Sequence, residues 1–81
     1  MELYQLKTFL AVAEEQHLTR AAARLHLSQP SVSTHIKALE EELGLTLFIR
    51  TPKGMILSHE GKSIKLKAES ALRAIESVHH D

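Results

Sequence analysis

Between Glu2 and Gln16 the apolar residues recur as Leu3, Leu6, Phe9, Leu10 and Ala13, with Val12 alongside. Steps of three and four place them on one stripe of an amphipathic helix. Thr19 then reads as the N-cap of a second, short helix over 20–25. The alanines of TRAAARL favour helix, and their small side chains let another helix approach closely. Ser28 is the next cap, and Pro30 falls in the first turn behind it, where a missing N–H breaks no intrahelical bond. The third helix is predicted over 29–43, stopped by Gly44 in a left-handed conformation. Its core stripe is Val32, Ile36, Leu39 and Leu43. At about 100° per residue, Pro30, Ser33, Thr34, Lys37 and Glu41 fall roughly opposite.

The period changes after Gly44. Residues 45–50, LTLFIR, are rich in β-formers, Thr51-Pro52-Lys53-Gly54 is a turn signal, and Met55 to Leu57 is a second short apolar run. Two such runs around a Pro/Gly turn predict a β-hairpin. Ser58 caps a fourth helix to about residue 79. Ile64, Ala68, Ala71, Ile75 and Val78 form a heptad-like seam along it, which Leu66 and Leu72 broaden. The early part, near Ile64 and Ala68, is expected to pack on its own domain, and 71–78 on a second chain. The expected fold is mainly α: a winged helix-turn-helix with a three-helix core, a short hairpin wing and a long last helix. Residues 1–58 form the domain and 59–81 a linker and dimerisation helix.

Composition narrows the chemistry. The chain has 81 residues and no cysteine, so it is one small domain without disulfide or thiolate metal support. That suits a reducing cytoplasm. The first residues lack the order of a signal peptide, and no apolar run spans a membrane. Ten Lys+Arg balance ten Asp+Glu. The distribution matters more than the sum. No carboxylate occurs over 16–39, which carries Arg20, Arg24, Lys37 and three histidines, or over 43–59, which carries Arg50 and Lys53. A neutral chain can therefore present a positive face to phosphate.

In a helix, tight turn, helix arrangement the second helix projects its amino end, and the major groove is wide enough to admit it. That end carries Gln29, Ser31, Ser33, Thr34 and Lys37, and offers free N–H groups and a positive dipole. The run AAARLHLSQPSVSTHIKALEEELGLTLFIRTPKG resembles the signature of the LysR-type transcriptional regulators. Its elements are paired alanines, Leu-His-Leu-Ser-Gln-Pro, Ser-x-x-Ile-x-x-Leu-Glu, then Leu-Gly and Leu-Phe-x-Arg. The opening Leu-x-x-Phe-x-x-Val-Ala-Glu and the Leu-Ser-x-x-Gly before the last helix are similar too, so the match covers essentially the whole chain.

The resemblance implies a recognition helix carrying Gln29, Pro30, Ser31, Ser33, Thr34 and Lys37. It implies a wing over 50–54, with Arg50, Pro52 and Lys53 near phosphate or the minor groove. It also implies a homodimer through the last helix, at Ala71, Leu72, Ile75 and Val78. The partner is double-stranded DNA carrying an interrupted inverted repeat, and no cofactor or metal is needed. The sequence departs from the family at Thr34 and Lys53, where members often carry arginine. The family's large effector-binding domain is absent from these residues. The resemblance therefore implies an excised domain, with any small-molecule effector acting through the missing part.

Plainer readings stand beside several of these. Gln29 serves as a first-turn polar residue if it does not touch DNA. Ser31 supports either the helix start or a DNA contact. Lys37 is otherwise a solvated charge, and Arg50 an internal anchor of the wing. His35, beside the core stripe, reads as a packing residue rather than a sensor. Glu40, Glu41 and Glu42 read as ion-pairing or DNA-repelling groups rather than catalytic acids. His79 and His80 beside Asp81 read as a frayed terminus rather than a metal site, since adjacent residues do not share a helix face. A winged helix used purely for protein interaction is the competing function. The hydrogen-bonding, acid-free face argues against it. An enzyme is excluded by the absence of a phosphate loop, a cysteine nucleophile or HExxH, and by the short chain.

Overall fold

The computed structural model describes residues 1–80. Four helices and one hairpin follow in the order α1 (Leu3–Glu15), α2 (Leu18–Leu25), α3 (Gln29–Leu43), β1 (Phe48–Thr51), β2 (Gly54–Leu57) and α4 (His59–His80).

α1 is the central element and packs against α2, α3, α4 and β2. Its stripe is accordingly wider than the sequence suggests. Phe9, Ala11 and Val12 are fully buried, the polar Gln5 and Thr8 are buried too, and Leu3 is exposed at the rim. Both polar groups are satisfied: Gln5 Oε1 accepts from the Glu2 N–H at 2.9 Å, and Thr8 Oγ1 lies 2.9 Å from His35 Nδ1 on α3. His35 also meets the Tyr4 ring edge-on at 4.7 Å, which fixes it as a packing residue between α1 and α3. Phe9 stacks obliquely on Phe48 at 5.4 Å and joins the helical core to the hairpin.

α1 ends at Gln16, whose φ is +62°, and α2 begins directly after His17. The N-cap is thus His17 and not Thr19, which lies inside the first turn of α2. The cap must hold extended backbone, and a connection only two residues long leaves His17, at φ −145°, as the one able to supply it. Ala21 and Ala22 are buried, and their small side chains bring α2 close to α1.

α2 closes on His26 at φ +58°, with Leu27 N bonded to Ala22 O at 2.9 Å and His26 N to Ala23 O at 3.2 Å. This pair of bonds is the Schellman closure, here with histidine where glycine is usual. α3 starts as its sequence predicts. Ser28 Oγ accepts from the Ser31 N–H at 3.2 Å, Pro30 sits in the first turn, and Gly44 ends the helix at φ +68°. Val32, Ile36 and Leu39 are its buried stripe, with Leu43 half-buried.

The hairpin is shorter on its first side than the run 45–50 predicts. β1 and β2 are antiparallel with Phe48 opposite Leu57 and Thr51 opposite Gly54, which leaves Pro52-Lys53 as a two-residue loop. Residues 45–47 do not pair with β2. Leu47 is instead buried, and its N–H donates to the Glu40 carboxylate at 2.7 Å. Pro52 cannot take the positive φ that two-residue loops usually require, and Gly54 at φ +131° absorbs the difference. Thr51 Oγ1 closes the loop by donating to Gly54 O at 3.0 Å and accepting from Lys53 N at 3.2 Å.

Ser58 caps α4 as expected. Its Oγ accepts from the Gly61 N–H at 2.9 Å and itself donates to the Thr46 carbonyl. Ala68 is buried and Ile64 packs on the core, so the first half of α4 lies on its own domain. No helix among the described residues is long and apolar enough to cross a membrane.

Candidate nucleic-acid interface

The amino end of α3 and the hairpin face the same side of the molecule. Ser33, Lys37 and Arg50 rim a groove of about 330 Å3 whose floor is Ile36, Phe48 and Met55. Arg50 also borders a second groove of about 250 Å3, shared with Thr19, Gln29 and Pro52. The two grooves share Leu18, Arg50 and Met55, so α3 and the loop border adjoining parts of one face.

The hairpin is held in place by main-chain contacts. Met55 N donates to Gln16 O at 2.8 Å, which ties β2 to the α1–α2 corner. A Cβ at Gly54 would collide with that same carbonyl, so only glycine lets the strand approach. A Cβ at Gly61 would likewise strike the Leu47 carbonyl, where α4 crosses the chain entering β1. Ser58 N completes this join by donating to Leu47 O at 2.9 Å.

Of the residues singled out in the sequence, Gln29, Pro30, Thr34, Lys37, Arg50, Pro52 and Lys53 are exposed, and Ser31 and Ser33 are half-buried. The hydroxyl of Ser31 accepts from Ser28 Oγ at 2.9 Å, so Ser31 does serve the helix start. Gln29 Nε2 donates to Thr19 Oγ1 at 2.9 Å across the turn. Among the described residues Lys37, Arg50 and Lys53 have no carboxylate partner.

Two arginines expected on the positive face are spoken for. Arg24 Nη1 lies 2.7 Å from Glu14 and 3.3 Å from Glu15, and Arg20 reaches Glu15 at 3.7 Å while donating to its carbonyl at 2.7 Å. The Glu14 hydrogen bond raises the Arg24 guanidinium above its ordinary value. The acids of α1 therefore neutralise the arginines of α2, which leaves Lys37, Arg50 and Lys53 as the cations of this face.

Glu40 forms no ion pair among the described residues; its carboxylate is the acceptor for the chain entering β1. Glu42 does ion-pair, with the amino terminus at 2.8 Å, and raises that amine above its ordinary value of 8.0 through the hydrogen bond they share. Thr19 as Gln29's partner, Glu40 as strand anchor and the fit at Gly54 went unseen in the sequence. Each depends on a partner distant along the chain, and only the Pro/Gly turn at 51–54 gave a local signal.

Along α4, Ala71, Ile75 and Val78 are exposed, Val78 at 78%, whereas Leu72 is half-buried against the core. Leu72 lines an interhelical groove with Leu10, Ala11 and Leu25, and Ala71 borders another with Leu6 and Leu43, so both differ from Ile75 and Val78 in facing their own domain. No group of three or more His, Cys, Asp or Glu gathers to hold a metal among the described residues, and Asp81 lies outside them.

A helix, tight turn, helix and wing arranged in this way define a winged helix-turn-helix domain. Residues 3–62 match the family model described as bacterial regulatory helix-turn-helix protein, lysR family. The chain belongs to the lysR family. It is 46% identical over 84 residues to the HTH-type transcriptional regulator XapR of Escherichia coli K12, covering 95% of this chain and 29% of XapR. It is 45% identical over 76 residues to ClcR of Pseudomonas putida, covering 94% of this chain and 26% of ClcR. The chain thus spans under a third of the length of these relatives. Among solved structures, a CbnR_DBD–DNA complex superposes with a TM-score of 0.94 at 38% identity, over 99% of this chain and 92% of that one. A BenM_DBD complex with benA site 1 DNA gives 0.94 at 38%, over 99% and 90%.

Proposed function

We propose that this domain is the sequence-specific DNA-binding part of a dimeric bacterial transcription regulator. α3 enters the major groove by its amino end, and the Pro52-Lys53 loop lies over the adjacent minor groove or its phosphates. The observation that carries this reading is the surface on which Lys37, Arg50 and Lys53, none of them ion-paired among the described residues, flank the hydrogen-bonding end of α3. The resemblance to DNA-bound relatives supports the same orientation.

Gln29, Pro30, Ser33 and Thr34 supply base contacts in this scheme. Ser31 sets the helix start beside them, and Lys37, Arg50 and Lys53 supply phosphate contacts. Residues 1–58 bind and 59–81 couple two copies through Ala71, Ile75 and Val78, with Leu72 shared with the domain's own core. The site is then an inverted repeat with half-sites about one helical turn apart. The domain works in the cytoplasm, and any effector acts through a part of the regulator beyond these residues.

Selection from randomised duplexes on the purified chain tests the reading. Enrichment of an inverted repeat, with affinity falling about 10³-fold or more between 50 and 200 mM salt, is the expected result for six or more phosphate contacts. Salt-insensitive binding without enrichment overturns it.

A further inference from the structure

We propose that Thr19 is a positioning residue for Gln29 and sets which base edge Gln29 reads. This rests on the reading of Gln29 as a base contact. Thr19 stands in the first turn of α2 and Gln29 is the first residue of α3, ten positions on, so the bond between their side chains bridges the turn.

The geometry constrains what Gln29 presents. A glutamine amide has two N–H donors and one carbonyl acceptor. One donor is committed to Thr19 Oγ1 at 2.9 Å. The second N–H and Oε1 have no protein partner among the described residues, and the residue is exposed. What remains is one donor beside one acceptor, the complement of the N7 acceptor and N6 donor that adenine shows in the major groove. Both residues line the groove beside Arg50 and Pro52, so the held amide sits where the α3 end meets the loop.

A free glutamine side chain carries rotamer entropy that is lost on docking, and an amide already held loses less of it. The bond is not needed to cap either helix: His17 stands at the N-cap of α2, and the α3 start is secured by Ser28. An exposed hydroxyl that caps no helix and holds a neighbouring reader is placed for recognition.

The test uses the 81-residue chain and the duplex it enriches from a randomised pool. The readout is the affinity ratio between that duplex and one altered at the base pair whose preference Gln29→Ala relaxes. Thr19→Val keeps shape and removes the hydroxyl, and Thr19→Ser keeps the hydroxyl. One hydrogen bond's worth of ordering makes the expected loss of preference with valine roughly three- to tenfold. Serine should retain the preference, and Thr19→Val should add nothing to Gln29→Ala.

If valine weakens binding to all duplexes equally with the preference intact, Thr19 is a phosphate contact and the proposal falls. If serine loses as much as valine, the methyl packing matters and the proposal falls again. Should Gln29→Ala relax no preference, its reading role fails and takes this inference with it. Failure to enrich any duplex would instead overturn the DNA-binding reading itself.

Discussion

α3 and the hairpin share one surface but are fixed to the molecule by different means. α3 is held by side chains: Val32, Ile36 and Leu39 are buried against α1 and its neighbours. The hairpin adds Phe48 and Met55 to the core, with Leu57 partly buried against it, and is otherwise tied chiefly by backbone bonds, Met55 N to Gln16 O and Ser58 N to Leu47 O. Anchoring through packed side chains weakens in proportion to the atoms removed. Anchoring through backbone approach fails when an atom is added. The two halves of the site should therefore respond to opposite kinds of substitution.

The largest expected effect is on the packed side. Leu39→Ala leaves a void at a fully buried position and should cost about 2–5 kcal/mol in urea unfolding. A loss under 1 kcal/mol would show that α3 is not held by packing. On the backbone side, Gly54→Ala adds a single methyl against the Gln16 carbonyl at a φ of +131°. It should cost about 2–3 kcal/mol. Its amide hydrogen exchange should quicken chiefly in the hairpin, with α3 protected as before. Uniform loss of protection would break the distinction.

Glu40 lies between the two regimes, because a side chain of α3 there holds a backbone N–H of the segment entering β1. Glu40→Ala leaves the Leu47 N–H without its partner and should cost about 1–3 kcal/mol. The turn leading into α3 offers a change of the opposite sign. His26→Gly removes a side chain from a left-handed conformation and should stabilise by about 1 kcal/mol, raising Tm by about 4–8 °C.

The smallest effect belongs to the exposed pair that ties Glu42 of α3 to the amino terminus. The fold raises the amine's pKa, so its contribution is present in full below 8.0 and is lost as the pH rises through the higher folded value. Glu42→Gln should flatten that part of the stability–pH curve. An unchanged slope would remove this pair from the anchors of α3.

The parts of this design that were legible in the sequence are those with local causes. Ser28, Pro30 and Gly44 bound α3 through contacts within four residues of themselves, and Ser58 starts α4 in the same way. The exposed face of α3 followed from helical periodicity alone. Thr19 misled because its hydroxyl is the right chemistry for a cap, while the two-residue corner at 16–17 gave that duty to His17. The arginines of α2 stand in an acid-free run, yet meet Glu14 and Glu15 across the corner. Charge counted along a chain is not charge facing solvent, since pairing is decided by neighbours in space. The wide burial of α1 has the same origin: four elements surround it, so even Gln5 and Thr8 lie inside.

The bond from Met55 N to Gln16 O joins atoms that nearly every amino acid carries. The tie between the hairpin and the α1–α2 corner is therefore independent of the side chains that the loop tip displays. The tip at Pro52 and Lys53 and the outward positions of α3 behave as replaceable type in a fixed frame. A new vocabulary can be written into them without redesigning the page.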